Sequence, residues 1–167
     1  SLDHGGGWKI MHHMVQRFYQ PAAVFAVPSA DGEAIRLVGV NDMREDLLVE
    51  VKMLSVGPGG SVHQLGSASG ILPRDKALDL SWLSTKDIGD GNILMFEFKA
   101  ANGMFGRGHF APIPYKKLDL VSAQLDVETR MESGALFVAL KSKALALFVS
   151  LETDEPGRFE DGGFDML

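Results

Sequence analysis

The sequence contains no cysteine among its 167 residues, and this absence excludes several kinds of site. Without thiols there is no disulfide framework, no cysteine-ligated zinc and no cysteine nucleophile. No apolar run approaches the roughly 18 residues that a membrane-spanning helix needs, so we expect no membrane partner. Basic residues are also in the minority, at 16 against 22 acidic residues and a net charge of -6, which argues against nucleic acid as a partner.

Aromatic residues are scarce too, at 8% of the sequence. The apolar fraction of 46% and the charged fraction of 23% are nevertheless typical of a globular protein. A chain of this length forms one domain or two small ones. Composition therefore excludes several classes of protein, but it indicates neither a function nor a compartment.

One segment near the N-terminus has the periodicity of an amphipathic helix. The apolar positions, which recur at heptad-like spacing, are Trp8, Met11, Met14, Val15 and Phe18. The polar positions predicted for the opposite side are Lys9, His13, Gln16 and Arg17. Pro21 ends the predicted helix, because proline disfavours the helical conformation at the residue before it. Such a short helix is marginal in water, so its apolar side needs a surface to pack on.

After Pro21 the hydrophobic period changes to two, which predicts strands. The strand patterns lie at residues 22–27, 48–53, 94–99, 125–128, 136–140 and 145–149. Turn sequences between them lie at residues 57–60, 90–92 and 102–103. Short strands, dense turns and almost no helix predict a mainly β protein, an immunoglobulin-like antiparallel β-sandwich with one N-terminal amphipathic helix.

The sequence also predicts a division of the chain near two prolines. Pro112 and Pro114 favour a stiff, extended connector. Residues 22–112 are close to the roughly 100 residues of an immunoglobulin-like sandwich, whereas residues 113–167 are about half that length. This last part is therefore predicted to be a second, incomplete β-sandwich module, or a set of strands that extends the first sandwich.

The five histidines do not form the pattern of a metal site. His12 and His13 are adjacent on the predicted helix, about 100° apart, so they cannot converge on one ion. His4, His63 and His109 lie in separate loops or strands, with no carboxylate at ligand spacing. We therefore predict no metal-binding residue.

Two groups of glycines are candidates for phosphate-binding loops. Residues 5–7 precede the helix and could present backbone amides to an anion, but the lysine and hydroxyl of a Walker loop are missing. Gly103, Gly106 and Gly108 do not have the dinucleotide spacing. Both groups are predicted to be turns, and we predict no cofactor-binding residue.

Pairs of acidic residues are the remaining candidates for catalysis. Asp126 and Glu128 point the same way from one predicted strand, and Glu45 and Asp46 are adjacent. Glycosidase chemistry needs two carboxylates across a cleft, one of them desolvated, and the sequence indicates no apolar pocket. These carboxylates are predicted to be solvated, no serine–histidine–acid trio stands out, and we predict no catalytic residue.

Residues 160–165 read EDGGFD, an acidic stretch near the C-terminus. The stretch lacks the spaced ligands and the distal glutamate of an EF-hand loop. It is predicted to be a turn that buries Phe159 and Phe164 in a core.

Two stretches resemble the β-mannosidases of glycoside hydrolase family 2. Residues 1–13 read SLDHGGGWKIMHH and residues 17–21 read RFYQP, similar to the junction where the last helix of the catalytic (β/α)8 barrel leads to the C-terminal domains. Residues 157–167 read GRFEDGGFDML and are similar to a motif of the family's C-terminal region. Residues 40–42 and 108–110 also fit the family's first C-terminal sandwich.

The resemblance implies that this chain does not catalyse a reaction by itself. In the family, the nucleophile and the acid/base glutamates lie upstream of the matching segment, and no residue of this chain matches their motifs. The chain is expected to be a non-catalytic C-terminal accessory fragment whose partner is the upstream catalytic barrel. Its expected parts are residues 1–21 as the barrel's last helix, residues 22–112 as an immunoglobulin-like sandwich, and residues 113–167 as the incomplete second module.

Two other functions remain open at the level of sequence. A carbohydrate-binding module would need an exposed aromatic platform for a mannoside, to which Trp82, Tyr115 or Phe105 could contribute, although Trp8 and Trp82 are each expected to be a core or interface anchor. A protein-interaction domain would form homo-oligomers through the exposed side of the helix or through unpaired edge strands.

Overall fold

The structure, a computed structural model, describes residues 7–154 and 157–167. The SLDHGG stretch at residues 1–6, with His4 and two of the N-terminal glycines, lies outside the described residues. The first helix and strands are α1 (Ile10–Phe18), β1 (Ala22–Pro28), β2 (Ala34–Asn41), β3 (Leu47–Val56), β4 (Val62–Leu72) and β5 (Lys76–Ser84). Then follow α2 (Thr85–Ile88), β6 (Ile93–Ala100), β7 (Phe105–Phe110), a 3-10 turn (Tyr115–Lys117), β8 (Leu125–Glu132), β9 (Ala135–Ser142), β10 (Ala146–Ser150) and β11 (Gly163–Met166).

The backbone contacts divide the chain into two compact units. The first unit contains residues up to Val15, Pro58–Ser61 and Asp119–Leu167, and the second contains Gln16–Gly57 and Val62–Leu118. The predicted bounds at residues 1–21, 22–112 and 113–167 stay predictions.

The second unit is an antiparallel β-sandwich of seven strands, which confirms the predicted fold class. One sheet has the order β1-β2-β5 and the other has the order β4-β3-β6-β7. Strand β3 shows how the sequence forms these sheets, since Val49, Val51 and Met53 are buried while Glu50 and Lys52 are exposed. The predicted alternation at residues 48–53 is therefore confirmed, and such inward side chains form the core between the sheets.

Two glycines of β7 make room for the rings of β6. A Cβ atom at Gly106 would lie 2.3 Å from the Phe98 ring, and one at Gly108 would lie 2.5 Å from the Phe96 ring. Both rings are buried in the core. The glycines at 106 and 108 thus belong to a strand, and the prediction that they form a turn is wrong for them.

The edge strand β4 has no strong apolar alternation, and neither β4 nor β5, in which residues 78–82 read LDLSW, is among the predicted strands. Strand β4 reads VHQLGSASGIL, and most of its residues are exposed or half-buried. Edge strands have one neighbour only, so polar side chains and glycine are tolerated there.

The first unit contains two separate two-stranded sheets, β8-β9 and β10-β11. The strands predicted at residues 125–128, 136–140 and 145–149 are confirmed. The predicted turn at residues 160–165 is wrong in part, because a bend at residues 160–161 leads into β11. Phe159 and Phe164 are only half-buried, and Gly162 and Gly163 occupy the buried positions instead.

Helix α1 is present, but the side predicted to be polar contains its most buried residue. His13 is 6% exposed, whereas Met11 is 57% exposed. The backbone N–H of Gly162 donates a hydrogen bond to Nδ1 of His13 over 3.2 Å. Since glycine has no side chain, the helix lies close to this segment, and a Cβ atom at Gly163 would lie 3.0 Å from Ile10. Neither helix of the described residues is long and apolar enough to cross a membrane.

Candidate functional site

The outer faces of the two sheets in the second unit differ in chemistry. On the four-stranded sheet, the strand register places Glu50 opposite Lys99 and Lys52 opposite Glu97. Arg107 of β7 also forms an ion pair with Glu97 at 3.5 Å. Alternating charges of this kind are typical of a sheet face in contact with water.

The outer face of the three-stranded sheet is instead largely apolar. Its half-buried apolar side chains on β1 and β2 are Phe25, Val27, Val38 and Val40. In an antiparallel sheet with one face on the core, the other face is usually polar. A continuous apolar face is therefore the signature of a surface that binds another molecule. We call these four residues, together with Arg36, Asp79 and Trp82, the docking face.

A tryptophan and an arginine stack at the β5 edge of the docking face. The register places Trp82 opposite Arg36, and Cζ of Arg36 lies 5.5 Å from the centroid of the indole ring. Nη1 of Arg36 donates to both carboxylate oxygens of Asp79 at 3.3 Å. Because this ion pair is partly exposed, it contributes less than about 1 kcal/mol to stability, but it orients the guanidinium over the ring.

The exposure of Trp82 gives this stack its functional interest. Its side chain is 60% exposed, although tryptophan is among the most favourable residues to bury. Tryptophan and arginine are also the residues most enriched among binding hot spots in protein interfaces. The docking face therefore has an exposed tryptophan at one edge, the Arg36–Asp79 ion pair beside it, and half-buried apolar side chains on β1 and β2.

The C-terminal end of α1 continues the docking face at the opposite edge. The ring centroid of Phe18 lies 6.3 Å from that of Phe25, a distance typical of a favourable aromatic pair. Phe18 is itself exposed, so the apolar surface extends from β1 onto the helix end.

The sequence contains a signal for this face that a search for alternating strands misses. Strand β1 reads AAVFAVP and residues 37–40 of β2 read LVGV, so these segments are apolar on both faces. Strand β3, in contrast, places a charge at Glu50 and Lys52 on its outer face. Apolar residues on both faces of a strand indicate burial on both sides.

One carboxylate near the docking face has a shifted pKa. The Ser29 hydroxyl, and then the backbone N–H of Glu33, donate hydrogen bonds to Asp31 and lower its pKa below the ordinary value of 3.8. These bonds hold the turn between β1 and β2, so the shift reflects a turn structure and not a reactive site.

The described histidines that were candidates for metal binding lie on three different elements, α1, β4 and β7. His63 is on β4, and His109 on β7 lies with its Nε2 2.8 Å from the Tyr115 hydroxyl. His12 stacks on Trp8 with ring centroids 4.1 Å apart. In the described part of the chain, no group of three or more histidine or acidic residues could hold a metal ion.

The aromatic residues that could contribute to a sugar-binding platform are distributed over different surfaces. Phe105 lies on the outer face of the four-stranded sheet, with Arg107 over its ring at 5.5 Å. Trp82 lies on the outer face of the other sheet, while Tyr115 contacts His109. Trp8, in the first unit, stacks with Arg158 at 4.5 Å. Phe105 and Trp82 therefore do not share one flat platform.

Residues of both acidic pairs form an ion pair or hydrogen bonds within the fold. Asp126 and Glu128 are exposed on β8, and Glu128 forms an ion pair with Lys141 at 3.4 Å. Asp46 accepts a hydrogen bond from the backbone N–H of Arg74. The backbone oxygen of Glu45 accepts one from the side chain of Asn41. The prediction that no residue is catalytic stays a prediction.

Comparison with known proteins gives matches over the whole chain. The Ig_mannosidase family model, which describes an Ig-fold domain, matches residues 120–167. The β-mannosidase of Mus musculus is 24% identical over 180 residues, which cover all of this chain and 20% of that protein. The β-mannosidase of Rattus norvegicus is 25% identical over 182 residues, with the same coverage.

A solved structure has the same fold. The crystal structure of the β-D-mannosidase from Dictyoglomus thermophilum matches with a TM-score of 0.79 and 19% identity, covering 99% of this chain and 20% of that one. This chain spans about a fifth of the length of the relatives that it matches. Together the matches confirm the predicted resemblance to the C-terminal region of a β-mannosidase and the mainly β, immunoglobulin-like fold.

Proposed function

We propose that this chain is a non-catalytic accessory region of a β-mannosidase-like glycoside hydrolase, and that it supports a catalytic barrel of the same polypeptide. The observation that carries this proposal is the docking face, an apolar outer sheet surface with Trp82 as its anchor. The whole chain is similar to a fifth of each β-mannosidase, which supports a role beside a larger catalytic part.

The position of α1 favours the barrel as the occupant of the docking face. The sequence of α1 resembles the last helix of the family's barrel, and its Phe18 contacts Phe25 on the sheet. A barrel that contains this helix would therefore approach the sandwich from the side of the three-stranded sheet. Burying Trp82 and the valines against the barrel would stabilise both parts.

The first test is an assay of glycoside hydrolysis by the isolated chain. Within the described residues, Asp126 and Glu128 are exposed, and Asp46 accepts a backbone hydrogen bond at the surface. We expect the pure 167-residue chain not to cleave a nitrophenyl β-mannoside. Cleavage that disappears on substitution of a glutamate of this chain would contradict the proposal.

The docking face is tested in a chimera. In the Dictyoglomus thermophilum β-D-mannosidase, this chain replaces the fifth of the protein on which it superimposes. We expect Trp82→Asp to weaken docking by about 2 kcal/mol, because a hot-spot residue is lost and a charge must be desolvated. Trp82→Asp should lower the melting temperature of the chimera by more than it lowers the melting temperature of the isolated chain. The difference between the two decreases measures the loss of docking.

Ile71→Asp is the matched control. Ile71 is also 60% exposed, and it lies on β4, the edge strand of the other sheet, with its side chain on the charged outer face. We expect this substitution to lower both melting temperatures equally. If Trp82→Asp and Ile71→Asp both lowered the melting temperature of the chimera by the same amount beyond their effect on the isolated chain, docking through the three-stranded sheet would be refuted.

Sugar binding is the second candidate, because the exposed indole of Trp82 could stack on a pyranose ring. Chemical-shift titration of the isolated chain with mannobiose and mannan distinguishes the two functions. Shifts confined to Trp82 and Arg36 at millimolar sugar would favour this candidate over barrel docking.

A further inference from the structure

The turn between β6 and β7 contains an asparagine followed directly by a glycine, Asn102 and Gly103. The other two asparagines of the chain, Asn41 and Asn92, are followed by an aspartate and an isoleucine. An asparagine deamidates when the backbone nitrogen of the next residue attacks its side-chain carbonyl carbon, a reaction between groups that the chain already holds close together. Glycine has no side chain to hinder this attack, so the sequence favours the reaction at Asn102.

We propose that Asn102 is a site of spontaneous deamidation and that the fold protects the other two asparagines. The Gly103 nitrogen forms a bond to Cγ of Asn102, and its proton passes through water to the Nδ2 group, which leaves as ammonia. The product is a five-membered succinimide ring. Water then opens the ring at either carbonyl and gives aspartate or isoaspartate. One water is taken up, one ammonia is released, and the new carboxyl group is ionised at neutral pH.

A hydrogen bond within the turn favours attack on the carbonyl carbon. The backbone N–H of Met104 donates to Oδ1 of Asn102 at 3.1 Å. A donor at this oxygen stabilises the negative charge that develops there when a nucleophile adds to the carbon. Asn41 accepts the same kind of bond from the backbone N–H of Met43 at 3.0 Å, so the carbonyl group does not distinguish these two sites.

The side-chain nitrogen that must leave is held differently at the three asparagines. At Asn41 it donates to two backbone oxygens, at 2.9 and 3.0 Å. At Asn92 it donates to a serine hydroxyl at 2.9 Å and to a backbone oxygen at 3.2 Å. At Asn102 its acceptor is the thioether sulfur of Met43 at 3.5 Å, and sulfur is a weak acceptor. Departure of the nitrogen is therefore least hindered at Asn102.

The backbone nitrogen that must attack is also held differently. The N–H of Gly103 donates to the oxygen of Ala100 at 2.9 Å, a bond within the turn, so opening of this turn alone releases it. The N–H of Asp42 donates instead to the oxygen of Pro21, and Ile93 is buried at the first position of β6. Release of either nitrogen requires the end of a sheet to open, which costs more than fraying of one turn.

Asp42→Gly separates the effect of the sequence from that of the fold, because it places a glycine after Asn41 as well. Deamidation of each asparagine is followed by peptide mapping and mass spectrometry while the folded variant is incubated at mildly alkaline pH. We expect Asn102 to deamidate about tenfold faster, or more, than Asn41 or Asn92, since only its groups are freed by opening of one turn. In denaturant, Asn102 and Asn41 of this variant should react at similar rates.

Asn102→Gln is the second control, because attack on a glutamine must form a six-membered ring and is slow. The unsubstituted chain should gain one negative charge with time in ion-exchange chromatography, and the glutamine variant should not. If Asn102 stayed intact in the folded chain over a period in which it reacts in denaturant, the proposal would be overturned. Deamidation of Asn41 in the folded Asp42→Gly variant at the rate of Asn102 would also overturn it.

Discussion

Asn41 is a fully buried polar residue at the end of β2, and its amide joins three backbone segments. Its Nδ2 donates to the backbone oxygens of Glu45 at 2.9 Å and Leu72 at 3.0 Å. Its Oδ1 accepts from the backbone N–H of Met43 at 3.0 Å. The residue thus connects the β2–β3 loop to the end of β4, and burial makes each of these bonds costly to lose.

We predict that Asn41→Ala lowers the free energy of unfolding by about 2–3 kcal/mol, because it removes the donor to the buried Leu72 carbonyl and to the part-buried Glu45 carbonyl. Chemical denaturation of the isolated chain measures this change. Asn102→Ala is the control, since Asn102 also accepts a hydrogen bond from the backbone two residues on but is exposed. If Asn102→Ala lowered the free energy of unfolding as much as Asn41→Ala does, burial would not be the cause of the loss of stability.

Helix α1 is the element in which the sequence pattern and the packing disagree. Heptad spacing placed Met11 and Phe18 on the apolar side, which is exposed in this chain, whereas His13 of the side predicted to be polar is buried. The reason is the glycine pair at Gly162 and Gly163, which lets the backbone of the helix approach and supplies a donor for the imidazole. Burial of a polar ring is favourable when its hydrogen bond is made.

We predict that Gly163→Val releases α1 from this contact. The new side chain would meet Ile10 at 3.0 Å and His13 at 3.1 Å, closer than carbon atoms pack. Amide hydrogen exchange over residues 10–18 should become at least tenfold faster, about 1.4 kcal/mol of local stability. Glu160→Val places the same side chain at an exposed neighbouring position and should leave exchange unchanged. Unchanged protection in Gly163→Val would show that the helix does not depend on this approach.

At the scale of the molecule, the two units differ in how much apolar surface they bury. The second unit has one continuous core between its sheets, including residues such as Ile35, Leu37 and Val49 that are fully buried. In the first unit, both strands of the β8-β9 hairpin are almost wholly exposed. Burial of apolar surface is the main source of stability, so the β8-β9 hairpin should open at a lower free energy than the core of the second unit.

We predict that the amides of β8 and β9 exchange at least 100-fold faster than those of β3, measured by native-state hydrogen exchange at low protein concentration. The β3 amides are bonded on both sides, to β4 and β6, beneath buried valines. Uniform exchange across both units would contradict this difference and indicate a single cooperative unfolding unit.

The alternation of apolar and charged residues determined much of this fold by itself. It located β3 and β6, because a strand that faces the core on one side and water on the other must alternate. The alternation at residues 125–128 located β8, and the apolar runs at residues 136–140 and 145–149 located β9 and β10. The motifs at both ends of the chain also identified the resemblance to β-mannosidases, which the matches to known proteins confirm. These features are local in sequence and do not depend on which segments meet.

Only the tertiary structure decided the features that depend on distant segments. The burial of His13 requires Gly162, which lies almost the whole chain away. The docking face exists because β1, β2 and β5 pair in a register that aligns Phe25 with Val38 and Arg36 with Trp82. Strand pairing and close approach at glycines join residues far apart in the chain, so their result is a property of the fold and not of any one segment.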